Sequence, residues 1–159
     1  MSRREDSVER LYSEHAAGLL GFLTYHTGDR ALAEDIVADT FERLLTTGTS
    51  WRGRSGQKTW LYSIALNRMR DVARRRGAET RALARVSATV GADELEEVAD
   101  RDLLHRAMQA LSDEERAVVA LRFGGDLSLS EIAELLEERQ STVEGRLYRG
   151  LRRLRDAAT

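Results

Sequence analysis

The stretch WLYSIALNRMRDVARRR, Trp60 to Arg76, combines an aromatic, an amide and a cluster of arginines. Wound as a helix, it brings Trp60, Ser63, Asn67, Arg70, Asp71 and Arg74 into one sector, with Leu61, Ala65, Met69 and Val72 opposite. An indole on such a face can stack on an unpaired base while guanidinium groups hold phosphates. A core tryptophan beside unrelated surface arginines would give the same spacing, so the row is a candidate nucleic-acid contact rather than a signature of one.

A second arginine row lies at the tail. In STVEGRLYRGLRRLR the apolar residues Val143, Leu147, Leu151 and Leu154 are expected to face inward, leaving Thr142, Arg146, Arg149 and Arg153 on the outer side. Ser141 and Glu144 have capping-box spacing, as do Ser112 with Glu115 and Ser128 with Glu131. Two short capped helices with a tight turn near Arg139, the second rich in arginine, fit a helix-turn-helix whose outer stripe reads the major groove. A third face has the opposite sign. Between Asp29 and Leu45, the stripe of Ala33, Ile36, Val37, Phe41, Leu44 and Leu45 is backed by Glu34, Asp35, Ala38, Asp39 and Glu42. That pattern suits a protein partner or a plain solvated surface.

Other chemistries find little support. The motifs GxSxG, GxxxxGK[ST], HExxH and GxGxxG are absent, and the carboxylates Glu96 and Glu97 lie in a polar stretch that would not shift their pKa. There is no cysteine, and the three histidines, His15, His26 and His105, stand far apart. No catalytic residues, cofactor or metal are expected. Neither a signal peptide nor a membrane-spanning run is legible, which points to a cytoplasmic protein without membrane insertion.

These faces need helices to hold them. The chain of 159 residues lacks proline and is 42% hydrophobic, as an all-α fold allows. Val8, Leu11, Tyr12, His15, Leu19, Phe22 and Leu23 mark a first helix over 6–26, and Asp29 can cap a second through Leu45, closed by Gly48. The glycine-bearing TSWRGRSGQKT reads as a loop before the Trp60 helix. The net charge of -2 conceals strong segregation: residues 49–86 carry +8 and 139–159 carry +4, while 1–48, 87–102 and 103–138 carry -4, -5 and -5. All basic residues but Lys58 are arginine. The predicted organisation is two small helical domains, 6–77 and 103–159, joined by an acidic linker at 78–102, the second domain containing the helix-turn-helix.

The order AEDIVADTF, then WLYSIALNRMRDVARRR, then an acidic stretch, then LSLSEIAELLEERQSTVEGRLYRGLRRLR resembles the extracytoplasmic-function sigma factors of bacterial RNA polymerase. The resemblance spans about residues 8–156. It implies a first domain that binds core RNA polymerase and the −10 element of promoter DNA, and a second that reads the −35 element. Carried over by position, Glu34, Asp35, Val37, Asp39 and Glu42 would meet polymerase, with Phe41 packed inside. Trp60, Ser63, Asn67, Arg70 and Arg74 would meet the −10 strand, and Ser141, Thr142, Arg146, Arg149 and Arg153 the −35 duplex. The acidic linker is similar to the family's connector toward the RNA exit path. An anti-sigma factor is the partner the resemblance further implies. The chain departs from the family pattern at Ala38–Asp39, at Glu137–Glu138 in the turn, and at Glu144–Gly145. A stand-alone helix-turn-helix regulator and a sigma-like protein that no longer reads DNA are the alternative functions.

Overall fold

The computed structural model describes residues 3–47, 56–83 and 95–158, with side chains described outside 77–83, 95–101 and 158. The expected all-α class holds. The described residues form seven α-helices: α1 Arg3–Thr27, α2 Arg30–Thr47, α3 Gln57–Leu83, α4 Leu95–Gln109, α5 Asp113–Val119, α6 Leu129–Leu136 and α7 Gln140–Ala158. A π-helical turn, Ala120–Gly124, extends α5.

Local chemistry sets most of the boundaries. Gly28 leaves α1 at a left-handed φ of 70°, and its N–H donates to the Thr24 carbonyl at 2.8 Å. Asp29 then caps α2 as predicted, its Oδ1 accepting from the Leu32 N–H at 3.1 Å. At α5 and α6 the predicted capping boxes close, with Ser112 paired to Glu115 and Ser128 to Glu131. The third box does not form. The Arg139 carbonyl accepts from Thr142 and Val143, so α7 begins at Gln140 and Ser141 lies within its first turn. Glu144 instead accepts from Gln140 Nε2 at 3.4 Å.

In the predicted linker, α3 runs on to Leu83 and α4 starts at Leu95; residues 84–94 lie outside the described residues. So do Gly48 and most of the predicted TSWRGRSGQKT loop. The C-terminal end of α4 is closed by Arg116, whose guanidinium donates to the Met108 and Leu111 carbonyls, each at 3.0 Å. A cation at carbonyls left unpaired by a helix end is favourable on both hydrogen-bonding and dipole grounds.

Helices α1–α3 form one unit around Leu11, Leu19, Phe22, Ile36, Phe41 and Leu61; α4–α7 form a second around Met108, Val118, Leu121, Leu127, Ile132 and Val143. The two share a continuous core, because α1 packs on the π-turn and α3 lies along α6. Tyr12, Leu45 and Leu151, expected inside, are 53%, 44% and 37% exposed. Tyr12 covers the rim of the core from outside, its ring edge-on to Phe41 with centroids 5.0 Å apart.

His26 lies near the junction, edge-on to Phe22. Burial lowers its pKa to about 4, the guanidinium groups of Arg116 and Arg70 push the same way, and Asp113 opposes them. The unfolded ring, near 6.5, takes up a proton first as the pH falls. Stability from the neutral ring is therefore complete above about pH 6.5 and is lost as the pH drops from there toward 4. Denaturant midpoints should fall between pH 7 and pH 5, and His26→Phe should flatten part of that fall. The slope left over belongs to groups such as His15, whose pKa burial also lowers.

Candidate nucleic-acid and partner interfaces

The acidic face of α2 divides into exposed and committed carboxylates. Glu34, Asp35 and Glu42 are exposed, Glu34 holding Arg30 at 3.1 Å within its own helix. Asp39 is turned differently: Arg68 of α3 donates to its Oδ2, and Arg43 stands 3.5 Å away. It ties α2 to α3 and has less charge to offer a partner. Val37, expected at the interface, is 7% exposed, because the helix turns it toward α1. It forms the floor of a shallow groove lined also by Tyr12, Ala16, Leu20, Glu34 and Ala38. Tyr12 and Leu45 add apolar surface around this acidic helix. Sequence periodicity assigned both to the core, since an amphipathic stripe does not show where its edge ends.

On α3 the spacing sorts most side chains as expected, with Val72 only half-buried. Leu61, Ala65 and Met69 are buried, while Asn67, Arg70 and Arg74 are exposed and Trp60 and Ser63 half-buried. Arg74 pairs with Asp71 along the helix. Among the described residues, Arg70 has no carboxylate within ion-pair distance. Trp60, Ser63, Asn67 and Arg70 form one wall of an open groove of about 680 Å³. Its other wall is the end of α6, from Glu134 to Glu137.

The reading helix differs most from expectation. Arg146 does not face solvent: its side chain is 14% exposed and reaches Glu138 at 3.1 Å and Glu114 at 3.5 Å. Arg149 and Arg153 lean on Glu115, at 3.8 and 2.8 Å. Thr142 is half-buried. Arg149 and Arg153 thus stay exposed, as expected, at the edge where α7 meets α5, whereas Arg146 and Thr142 are turned inward. The cause is Gly150. It is buried, and a Cβ there would lie 2.9 Å from Val119 Cγ2, so α5 presses directly on the α7 backbone. This close approach turns the buried side of α7 toward Arg146 and away from Leu151. Beside Arg149 and Arg153 the solvent face carries Ser141, Tyr148 and Arg152, with Gly145 half-exposed between them and Tyr148 72% exposed. The i, i+4, i+7, i+11 spacing of these residues was present in the sequence, but choosing this row over its neighbour required the position of Gly150.

The turn before α7 is built on Glu137, which adopts a left-handed φ of 55°. Glycine is the usual residue in that conformation. Glu138, next in the turn, takes Arg146, so the pair fixes α7 against the turn that launches it. Among the described residues no His, Cys, Asp or Glu group could hold a metal ion, and no helix is long and apolar enough to cross a membrane.

Comparison with known proteins agrees with this anatomy. Residues 11–79 match the family Sigma-70 region 2, and residues 101–154 match Sigma-70, region 4. The chain is 33% identical over 161 residues to the ECF RNA polymerase sigma factor SigL of Mycobacterium tuberculosis, covering 93% of this chain and 86% of that one. It is 30% identical over 165 residues to the ECF RNA polymerase sigma factor SigX of Bacillus subtilis, covering 95% and 83%. In fold it is similar to the sigma factor RpoE of Bartonella quintana, solved in complex with the anti-sigma factor NepR, with a TM-score of 0.70, 24% identity and 96% of each chain covered. CnrH, solved with the cytosolic domain of CnrY, gives a TM-score of 0.72 at 23% identity, covering 96% of this chain and 87% of that one. A stand-alone regulator would not carry both sigma regions in this order. The chain belongs to the extracytoplasmic-function sigma factors, which direct promoter-specific transcription initiation by RNA polymerase.

Proposed function

We propose a division of labour in which α2 docks on core polymerase, α3 takes the −10 strand and the outer face of α7 reads the −35 duplex. The polymerase contact is the exposed acidic rim of Glu34, Asp35 and Glu42 around the apolar groove floored by Val37 and flanked by Tyr12. At −10, Trp60 stacks on an unpaired base, Asn67 hydrogen-bonds, and Arg70 and Arg74 hold phosphates. At −35, Ser141, Gly145, Tyr148 and Arg152 face the groove. Gly145 leaves room for the helix backbone to approach the bases, and Arg149 reaches phosphate from the flank. Arg146 is a positioning residue. The protein acts in the cytoplasm without chemistry of its own. An anti-sigma factor is a further partner, a reading supported by the similar RpoE, which is found with the anti-sigma factor NepR.

The observation that carries this reading is the α3 row, with an indole, an amide and a guanidinium unpaired among the described residues on one side and buried Leu61, Ala65 and Met69 on the other. Trp60→Ala in the holoenzyme should reduce promoter opening by about 5- to 150-fold, equivalent to about 1–3 kcal/mol of stacking. Permanganate reactivity of the melted strand measures it, and unchanged opening would remove Trp60 from the site.

The rotation of α7 separates two residues two positions apart. Tyr148→Ala should change which −35 variants are transcribed while leaving the melting temperature nearly untouched. Arg146→Ala strips partners from Glu114 and Glu138 and should cost about 1–2 kcal/mol of stability, weakening all −35 variants alike. A base-selective defect from Arg146→Ala would restore the solvent-facing row read from the sequence.

On α2 the exposed and committed carboxylates also part. Reversing Asp35 and Glu42 to lysine together should abolish co-purification with core polymerase. Asp39→Asn should lower stability and leave polymerase binding within about three-fold, an estimate for a tie of surface-pair strength. Loss of polymerase from the Asp39 variant alone would make that carboxylate a direct contact.

A further inference from the structure

The first turns of α7 carry polar side chains of unequal electrostatic standing. Gln140, Glu144 and Tyr148 follow one another at i, i+4 spacing, which places them on one flank of the helix. Gln140 and Tyr148 are exposed, and Glu144 is half-buried between them. The nearest cations of the helix are matched elsewhere: Arg146 lies between Glu138 and Glu114, and Arg149 leans on Glu115. Glu144 has no such match. Among the described residues no cation stands within ion-pair distance of it. Its side chain accepts from the neutral Gln140 amide, Nε2 donating to Oε1 at 3.4 Å. A full negative charge is therefore left beside the residues that face the duplex.

That charge restricts what the helix can meet. A carboxylate repels the phosphate backbone, so it is tolerated in a complex only where a base amine receives it. In the major groove those donors are cytosine N4 and adenine N6, because guanine offers acceptors alone and thymine an acceptor and a methyl group. The two donors differ in their surroundings. Adenine carries its N7 acceptor beside N6, which sets like partial charge against a carboxylate, whereas cytosine has no acceptor on that edge. A carboxylate here selects cytosine.

The position suits the contact. Glu144 is the fifth residue of α7, and recognition helices read base edges with their N-terminal residues. Glutamate reaches less far than arginine, and Gly145 beside it, with no side chain to hold the groove away, lets the backbone come close. Gln140 occupies Oε1 and leaves Oε2 for the base.

We propose that Glu144 is a specificity-determining residue of the −35 contact, its Oε2 accepting from N4 of one cytosine, with Gln140 positioning the carboxylate. The proposal rests on the assignment of the outer face of α7 to the −35 duplex.

The test uses holoenzyme reconstituted from the full chain and core polymerase, transcribing a duplex library randomised in its −10 and −35 regions. Sequencing the transcribed templates gives the base preference at each position. The parent should prefer cytosine at one −35 position by about 5- to 150-fold over guanine or thymine. Glu144→Gln keeps the side-chain shape and adds a donor, so the preference there should move from cytosine to adenine, whose N6 and N7 match an amide. Glu144→Ala should level that position, leave the others as they were and keep the parent's melting temperature. Gln140→Leu should weaken the preference at the same position and at no other; a change at a second position overturns its positioning role. A Glu144→Gln profile identical to the parent's, beside a shifted profile for Tyr148→Ala, overturns the proposal while leaving α7 as the reader. So does a loss from Glu144→Ala spread evenly over all −35 variants. Unchanged −35 preferences in Tyr148→Ala and Glu144→Gln alike would instead strike the assignment of the outer face, and the proposal with it.

Discussion

A buried carboxylate works together with the close approach at Gly150 to place the reading helix. Glu115 is 4% exposed, and a charge so far from water must be matched locally. One oxygen accepts from the Ser112 N–H at 3.0 Å and from Arg153 at 2.8 Å, while the other faces Arg149 at 3.8 Å. The residue that starts α5 is therefore also the anchor that holds α7 in rotation. With that anchor and Gly150 under Val119, Arg146 falls between Glu114 and Glu138 and Tyr148 points to solvent. The second unit offers DNA a face chosen by internal ion pairs.

The first unit follows a related rule with less burial. Asp39 and Arg68 join α2 to α3, so one charge of each sign is consumed in holding the helices together. What remains exposed is sorted: carboxylates on α2 and guanidinium groups on α3. A slightly acidic chain can thus offer one helix to a protein and another to a polyanion, with little drive toward indiscriminate DNA binding by bulk charge.

Much of this was legible in the residues. Periodicity found the α1, α2 and α3 cores because each presents an unbroken apolar stripe, and serine–glutamate spacing found two helix starts. The Ser141 box failed because spacing alone cannot tell that the Arg139 carbonyl already begins the helix. The phase of α7 failed for a subtler reason. Its tightest contact is made by a glycine, which no apolar count includes, while Leu151 satisfied the pattern and still lies at the surface. Arg146 looked free since its partners, Glu114 and Glu138, belong to other elements. Contacts between the halves have no periodicity at all, and the α1 glycines that make them enter no apolar pattern.

The core that runs unbroken from α1 into α6 has a consequence for the protein's stability. Docked, the chain has the surface economy of a single 159-residue body. Separated, each half is near the size at which a hydrophobic core is only marginally sufficient. Burial shared along the core from α1 to α6 therefore adds stability that neither half's own core supplies.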